Sequence, residues 1–199
     1  MDEMPGQRKQ YYAFVSYAHE DLKFAKWLHG RMEAYRFPKK YVGTITRAGA
    51  TPRRLRPVFI DLTDLRAGSN LHDELRQKIG DSHALVVVCS PEAAESQYVA
   101  EEIQEFLRQH SAERVFPVIV RGSPEGPERC FPKALPSPDP ASPNRQKEPR
   151  QQVLLRLLAG INDLEYDDLR QRDRHRRKRN LAVVYCEHAK KSGMWLISH

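Results

Sequence analysis

Apolar residues form four short runs along the chain, and each run is rich in β-branched or aromatic side chains. Such runs predict β-strands. The third run is apolar at every position, which is typical of a strand buried on both faces of a sheet. The fourth contains Pro117, which lacks an amide donor and favours an edge strand. The predicted strands are residues 11–16, 56–61, 84–89 and 115–120.

Between and after these runs, apolar residues recur every three or four positions, which is the spacing of one face of an α-helix. Asn70 is placed to cap the second of these helices and Gly80 to end it. Strands that alternate with helices predict an α/β fold with a parallel sheet. The chain has no internal repeat. The predicted helices are residues 21–35, 70–80, 99–107, 151–159 and 163–179.

The alternation stops after the fourth strand. Residues 122–149 contain eight prolines, which predicts a long loop that is poorly ordered in part. We therefore divide the chain into an N-terminal extension, a domain core, a proline-rich loop and a C-terminal helical segment. These parts are residues 1–10, 11–122, 123–150 and 151–199.

The composition fits a water-soluble domain that can bury a core, since 40% of the 199 residues are hydrophobic and 30% are charged. The longest aliphatic stretch, residues 84–89, is far shorter than the ~20 residues of a membrane-spanning helix. The acidic N-terminus does not resemble a signal peptide. Three widely spaced cysteines, Cys89, Cys130 and Cys186, favour reduced thiols. Together these features predict a cytoplasmic protein.

Most of the net charge of +7 comes from residues 170–179, which contain seven Arg or Lys and one Asp. We favour the interpretation that this run is a solvated C-terminal helix with no binding function. Binding to nucleic acid or to an anionic membrane surface are the alternatives. No aromatic residue interrupts the basic run, so base stacking is unsupported and a nucleic-acid partner is not expected.

Several common motifs of α/β proteins are absent from the sequence. It contains no G-x-G of a dinucleotide-binding fold and no P-loop. The first and third strands end in Ser16-Tyr17 and Cys89-Ser90, where a receiver domain would have acidic residues, and no G-x-S-x-G elbow is present. No cluster has metal-ligand spacing. We therefore expect neither a metal nor a bound cofactor.

Three segments in series carry a resemblance to one family. Residues 13–19 read AFVSYAH, residues 58–68 read VFIDLTDLRAG, and Ser90-Pro91 is followed by QYVAEEI at residues 97–103. In this order and spacing they resemble the Toll/interleukin receptor (TIR) domain of the bacterial kind. The resemblance covers roughly residues 11–122. Tyr98 stands where the family often has Trp.

The resemblance implies a flavodoxin-like parallel sheet with helices on both faces. It also implies one of two functions, because some family members only assemble with other TIR domains and others cleave NAD+ at the nicotinamide–ribose bond. In the enzymatic group the matching position of Glu102 is the catalytic carboxylate. The resemblance further implies a set of substrate-binding residues: Ser16, Tyr17, Ala18, His19, Asp61, Gly68, Ser90 and Tyr98.

The loop at residues 62–70 resembles the BB loop, which docks on a neighbouring protomer in assembling TIR domains. Asp64, Leu65 and Arg66 are the implied partner-contact residues. From composition alone, a solvated loop is about as good an interpretation. Likewise, Asp61 could cap loop amides, and His19 considered alone is more often a surface histidine.

A single glutamate suffices for the implied reaction. Nicotinamide in NAD+ is a cationic ring that leaves as a neutral molecule, so the site needs no general acid and must mainly stabilise an oxocarbenium-like ribose. On the helical projection Glu102 lies at the flank of the apolar stripe, Tyr98 lies one turn before it, and Glu101 faces solvent. Helix position alone favours an exposed boundary residue at Glu102, and the resemblance shifts the balance towards catalysis.

The sequence thus predicts a TIR-domain NAD+ hydrolase or cyclase that acts when self-assembled, as a homo-oligomer or filament, in bacterial immune (anti-phage) signalling. The alternative is a non-catalytic scaffold that acts through TIR–TIR interactions. A third interpretation, a nucleic-acid-associated protein, rests on the basic run alone.

Overall fold

The computed structural model describes residues 10–62, 69–136, 139 and 141–191, and side chains are considered for residues 10–62, 73–136, 139 and 141–179. Its strands are β1 (Ala13–Ser16), β2 (Ile45–Thr46), β3 (Gly49–Ala50), β4 (Val58–Ile60), β5 (Leu85–Cys89) and β6 (Val115–Ile119). Its helices are α1 (Leu22–Ala34), α2 (Ser69–Gly80), α3 (Pro91–Glu95), α4 (Gln97–Gln109), α5 (Arg150–Ile161) and α6 (Tyr166–Lys191).

Four strands form one parallel sheet in the order β4-β1-β5-β6. Counting only these strands, the chain order is 2-1-3-4, which is how the flavodoxin-like order begins. The structure therefore confirms the predicted α/β fold. It also confirms that β5 is central and wholly buried and that the strand containing Pro117 lies at an edge. Strands β2 and β3 form a separate antiparallel hairpin that the sequence does not predict.

Side chains that alternate along the strands supply the two faces of the sheet with two hydrophobic clusters. Ala13 and Val15 of β1 join one cluster, which helices α1 and α5 cover. Phe14 joins the other, which α2 and α4 cover with Ile79, Val99, Ile103 and Phe106. Helices therefore lie on both faces of the sheet, and α5 belongs to the same core as the strands.

The second helix already includes the residue that the sequence predicts as its cap. Helix α2 starts at Ser69 and already includes Asn70, so the expectation that Asn70 is the N-cap is wrong. Its predicted end at Gly80 is confirmed. A difference of one or two residues at a helix end is common because helix ends fray and end in mixed turns.

Parts of the proline-rich segment pack against the domain. Cys130, Phe131 and Leu135 are buried in the cluster below α4. Further along, the amide of Ile119 donates to the Pro143 carbonyl, and the Arg145 amide donates to the Ile119 carbonyl, each at 2.8 Å. Buried side chains of this segment thus pack against the domain, and residues around Asn144 satisfy backbone groups of the edge strand β6.

Helix α6 is fastened to the domain near its N-terminus. Asp168 accepts hydrogen bonds from Lys40 Nζ at 2.7 Å and from the Tyr41 hydroxyl at 2.6 Å. These bonds lower the pKa of Asp168 to about 2. Leu169, the next residue, is fully buried in the cluster that α1 and α5 form. None of the helices within the described residues is both long and apolar enough to cross a bilayer.

Asp168→Asn should lower the free energy of unfolding at neutral pH, because the variant loses an ionised partner for Lys40. The pKa of Asp168 is lower in the folded chain than in the unfolded chain, where Asp titrates near about 3.9. The interaction therefore stabilises the fold above about pH 4, and its contribution disappears as the pH falls towards 2.

Urea unfolding of wild type and Asp168→Asn at pH 7, 5 and 3 measures this effect. The difference in unfolding free energy should be equal at pH 7 and 5 and smaller at pH 3. Asp167→Asn, which changes the exposed neighbouring acid, is the control and should show little difference at any pH. A difference for Asp168→Asn that is independent of pH would contradict the assignment.

Candidate functional site

The candidate site lies at the carboxyl edge of the sheet, where the adjacent strands β1 and β5 end. Ser16 is the last residue of β1, and Ser90 directly follows β5. Helix α4 packs across both strands. Ligands of open α/β sheets bind at this edge, and the residues that follow neighbouring strands meet there.

The central contact of the site joins Ser16 to Glu102. The Ser16 hydroxyl donates a hydrogen bond of 2.5 Å to Oε2 of Glu102. Both side chains are buried, with 1% and 7% of their surface exposed. The exposed boundary position that helix geometry favours for Glu102 is therefore wrong. Glu101 is exposed as predicted and bonds to Gln97 on the helix surface.

Burying a carboxylate is costly unless hydrogen bonds replace the lost water. A short O–H···O bond to a charged oxygen is among the stronger hydrogen bonds in proteins, and it fixes the orientation of the acceptor. The Ser16 bond therefore stabilises Glu102 in the folded chain and holds its carboxylate at the end of β1. Residues 86 positions apart in the sequence make this contact.

Tyr17 joins the ends of β1 and β4. Its ring is buried, and its hydroxyl donates a hydrogen bond of 2.5 Å to the carbonyl of Asp61. Ala18 is also buried, and its carbonyl accepts from the amide of Asp21. Hydrogen bonds thus hold the segment from Ser16 to Ala18 in place at the floor of the site.

A second polar group, absent from the sequence-based candidates, lies beside Ser90. The Ser90 hydroxyl donates to Oδ2 of the buried Asp21 at 2.5 Å and accepts from the Ala93 amide at 3.1 Å as N-cap of α3. Arg121 bridges Oδ1 of Asp21 and Oε1 of Glu92, at 2.8 Å each. These contacts join the segments that follow β1, β5 and β6.

The pKa values in this group follow its hydrogen bonds. The bond to Asp21 raises the pKa of Arg121, which therefore stays charged. A backbone hydrogen bond at the start of α3, followed by Arg121, lowers the pKa of Glu92. Asp21 and Arg121 each lie just past a strand end at the carboxyl edge. Their position after a predicted strand was the one feature by which the sequence could have identified them as site residues, since neither belongs to a recognisable motif.

The remaining predicted site residues differ in how far their side chains are exposed to solvent. His19 and Tyr98 reach the surface, with 44% of Tyr98 exposed, and Asp61 is partly buried. The predicted loop residues Asp64, Leu65, Arg66 and Gly68 lie outside the described residues.

The structure describes no group of three or more side chains that could hold a metal ion within the residues it covers. Cys89 and Cys130 are free thiols, and burial raises the pKa of each. Both are therefore poor nucleophiles and metal ligands. The side chain of Cys186 lies outside the described ones.

Comparisons with known proteins agree with the motifs in the sequence. A family model described as "TIR domain" matches residues 52–182, which include Ser90 and Glu102 but not Ser16. Among curated proteins, "NAD(+) hydrolase ApTIR" from Actinoplanes sp. is 32% identical over 114 residues. That match spans 57% of this chain but only 14% of the relative.

A search of solved structures finds the TIR domains of the activated Roq1 resistosome, which directly recognises the pathogen effector XopQ. The sequence identity is 27% and the TM-score is 0.37. The match covers 55% of this chain and 57% of that one.

Ser90→Ala should destabilise the fold by about 1–3 kcal/mol, because the buried Asp21 loses a donor and α3 loses its N-cap. Urea unfolding measures the loss. Ser96→Ala is the matched control, since Ser96 caps α4 through one 3.4 Å bond from Val99, and it should cost about 1 kcal/mol or less. An equal loss for the two variants would contradict a special role for the Ser90–Asp21 bond.

Proposed function

This chain belongs to the TIR domain family, and from that premise we propose that it cleaves NAD+ at the bond between nicotinamide and ribose. The observation that carries the proposal is the buried Glu102 carboxylate, held by Ser16 at the ligand-binding edge of the sheet. The relative named an NAD(+) hydrolase supports the same reaction. The chain spans a small part of that relative, so the activity is proposed for this domain on its own residues.

In the proposed reaction, the C–N bond between ribose and nicotinamide breaks and its electron pair stays on the nicotinamide nitrogen. The cationic ring thereby becomes neutral nicotinamide, and positive charge develops on the ribose. Water then adds to the ribose carbon and loses a proton, giving ADP-ribose. Attack by a group within ADP-ribose would instead give a cyclic product. Nicotinamide needs no proton to leave, so a general acid is unnecessary.

Glu102 is the proposed catalytic residue because a fixed negative charge stabilises the cationic transition state most strongly in a site that excludes water. The bond from Ser16 uses Oε2 and holds the carboxylate before substrate arrives. Ser16 is therefore a positioning residue. An arrangement that is fixed in advance costs little reorganisation during the reaction.

The other proposed substrate-binding residues have different roles. His19 and Tyr98 are exposed, so we assign them to the entrance of the site. Tyr17 and Ala18 form its buried floor next to Asp61. Ser90 uses its hydroxyl for Asp21 and Ala93, so its contribution is to hold the surrounding loops. Gly68 is assigned from the resemblance alone.

Assembly and biological role are proposed from the family resemblance. NAD+ cleavage would depend on homo-oligomers or filaments of TIR domains, with Asp64, Leu65 and Arg66 in contact with a neighbouring protomer. The reaction would serve bacterial immune (anti-phage) signalling in the cytoplasm. The second candidate function is a non-catalytic scaffold that binds other TIR domains.

Glu102→Gln should reduce nicotinamide release from NAD+ by about 10²- to 10³-fold, because the neutral amide cannot stabilise positive charge on the ribose. The amide oxygen can still accept from Ser16, so the variant should remain folded. Chromatographic assay of nicotinamide over a protein-concentration series measures the rate. Release that rises more than linearly with concentration supports activation by assembly.

Glu101→Gln is the matched control for this experiment, since it removes an exposed carboxylate one residue away on the same helix. It should change the rate less than about twofold. Equal release by wild type and Glu102→Gln would keep the activity but contradict the site. If the wild type releases no nicotinamide at any concentration, the hydrolase proposal fails and the scaffold is favoured.

Ser16→Ala should lower kcat by about 10- to 100-fold, because the carboxylate loses a charge-assisted hydrogen bond that positions it. If Ser16 acts only through Glu102, adding Ser16→Ala to Glu102→Gln should cause no further loss of kcat. A kinetic double-mutant cycle measures this coupling. Multiplicative losses in the double variant would show that Ser16 acts independently of Glu102.

A further inference from the structure

Four arginines line a cavity of about 430 Å³ on the side of the domain opposite the candidate site: Arg36, Arg53, Arg54 and Arg56. Arg36 follows the last turn of α1, and the other three precede β4. Both points lie at the amino edge of the parallel sheet. Helix α1 runs from the carboxyl edge to this edge, so its 13 residues separate the two places by about 20 Å.

The backbone brings the two arginine-bearing segments together. The amide of Phe37 donates to the carbonyl of Arg53 at 3.1 Å. Phe37 and Leu55 are buried in the core cluster, with 4% and 0% of their surface exposed. Because Leu55 points inward, the arginines on either side of it are left at the surface. Core packing therefore fixes the two backbone segments that carry the arginines.

Within the part of the chain that the structure describes, no acidic side chain pairs with the cavity arginines. The pKa of Arg54 is lowered, first by the charge of Arg36 and also by those of Arg56 and Arg53. Like charges that repel each other at one place are destabilising unless something else favours the arrangement.

The basic run on α6 borders the cavity, but some of its cations form ion pairs. Arg176 donates a 2.6 Å hydrogen bond to the carbonyl of Arg36 and lies over the ring of Tyr35. Asp173 pairs with Arg176 and Arg177, so part of the α6 charge is neutralised within the helix. Cations therefore lie on both sides of the border, and the four arginines of the cavity form no ion pair with an acidic side chain among the described residues, whereas Arg176 and Arg177 share Asp173.

We propose that the arginine cavity binds a compact anion that carries two or more phosphate groups, such as a nucleotide polyphosphate or an inorganic polyphosphate chain. Guanidinium groups donate paired hydrogen bonds whose geometry matches phosphate oxygens. A cavity of about 430 Å³ lies in the range of small-molecule sites. Four converging cations can contact several phosphates at once.

A compact anion fits the cavity better than nucleic acid does. Among the described residues, its lining includes no aromatic side chain on which a base could stack. A nucleic-acid strand also needs a charged track, and the neighbouring α6 cations are partly occupied by Asp173. The proposal is independent of NAD+ cleavage, because the cavity and Glu102 lie at opposite edges of the sheet.

Calorimetric titration with inorganic tripolyphosphate tests the proposal. Arg53→Gln/Arg54→Gln should weaken binding at least tenfold, because two guanidinium groups that contact phosphate are lost. Arg129→Gln/Lys147→Gln removes the same charge from exposed positions elsewhere and should change affinity less than about twofold. Binding that is absent in the wild type, or equally weakened by both double variants, would overturn the proposal.

Thermal unfolding shows whether the variant remains folded. Relief of repulsion should leave Arg53→Gln/Arg54→Gln at least as stable as the wild type at low salt without ligand. Tripolyphosphate should then raise the Tm of the wild type and not that of the variant. A rise of equal size in both proteins would mean that the anion binds elsewhere and would overturn the site.

Further titrations distinguish the sources of phosphate. Tighter binding of ATP than of tripolyphosphate supports a nucleotide ligand, and equal binding supports a polyphosphate chain. Binding of a single-stranded oligonucleotide without tripolyphosphate binding would overturn the compact-anion proposal. The same titration with Glu102→Gln should be unchanged, so loss of the proposed NAD+ hydrolysis and loss of anion binding can be told apart.

Discussion

The hydrogen bond between Ser16 and Glu102 is the interaction on which the candidate site depends, because it gives a carboxylate buried at the end of β1 a hydrogen-bond donor. Core packing places both partners. Phe14 and Ser16 point to the same face of β1, and Phe14 packs in the cluster that α4 covers. Val99, Ile103 and Phe106 fix the rotation of α4 over that face, which turns Glu102 towards Ser16. The position of the carboxylate therefore follows from the same side-chain alternation that builds the core.

Hydrogen bonds between loops give this carboxylate rigid surroundings. Tyr17 connects the end of β1 to Asp61 after β4, while Asp21, Ser90 and Arg121 connect the segments after β1, β5 and β6. Side-chain hydrogen bonds at the carboxyl edge thus connect the segments that follow all four strands, in addition to the backbone hydrogen bonds of the sheet. A site that is held in this way suits a reaction catalysed by a fixed charge, in which misplacement of the carboxylate would reduce the stabilisation of the transition state.

The sequence predicts those features that short-range patterns determine. Periodicity located the strands of the sheet and most helices, the all-apolar run marked the central β5, and Pro117 marked an edge. Features that depend on distant residues were not predictable. Helix geometry could not reveal that Ser16 would be the partner of Glu102, and the spacing of prolines gave no sign that Phe131 is buried. The arginine cavity was missed because Arg36 joins the other arginines only after folding, whereas the basic run on α6 is contiguous and drew attention.

The two edges of a parallel α/β sheet differ electrically, and the distribution of charge in this chain follows that difference. The helices that connect the strands have their N-termini at the carboxyl edge, where a partial positive charge favours acids. Their C-termini lie at the amino edge, where a partial negative charge favours cations. Asp21 and Glu92 lie at the first kind of end, and Arg36 lies at the second. Helix dipoles account for a single cation beside α1, since the effect is confined to the last turn. They do not account for three further arginines that precede β4 and face the same cavity without ion pairs among the described residues. A multivalent anion supplies the missing compensation for all four.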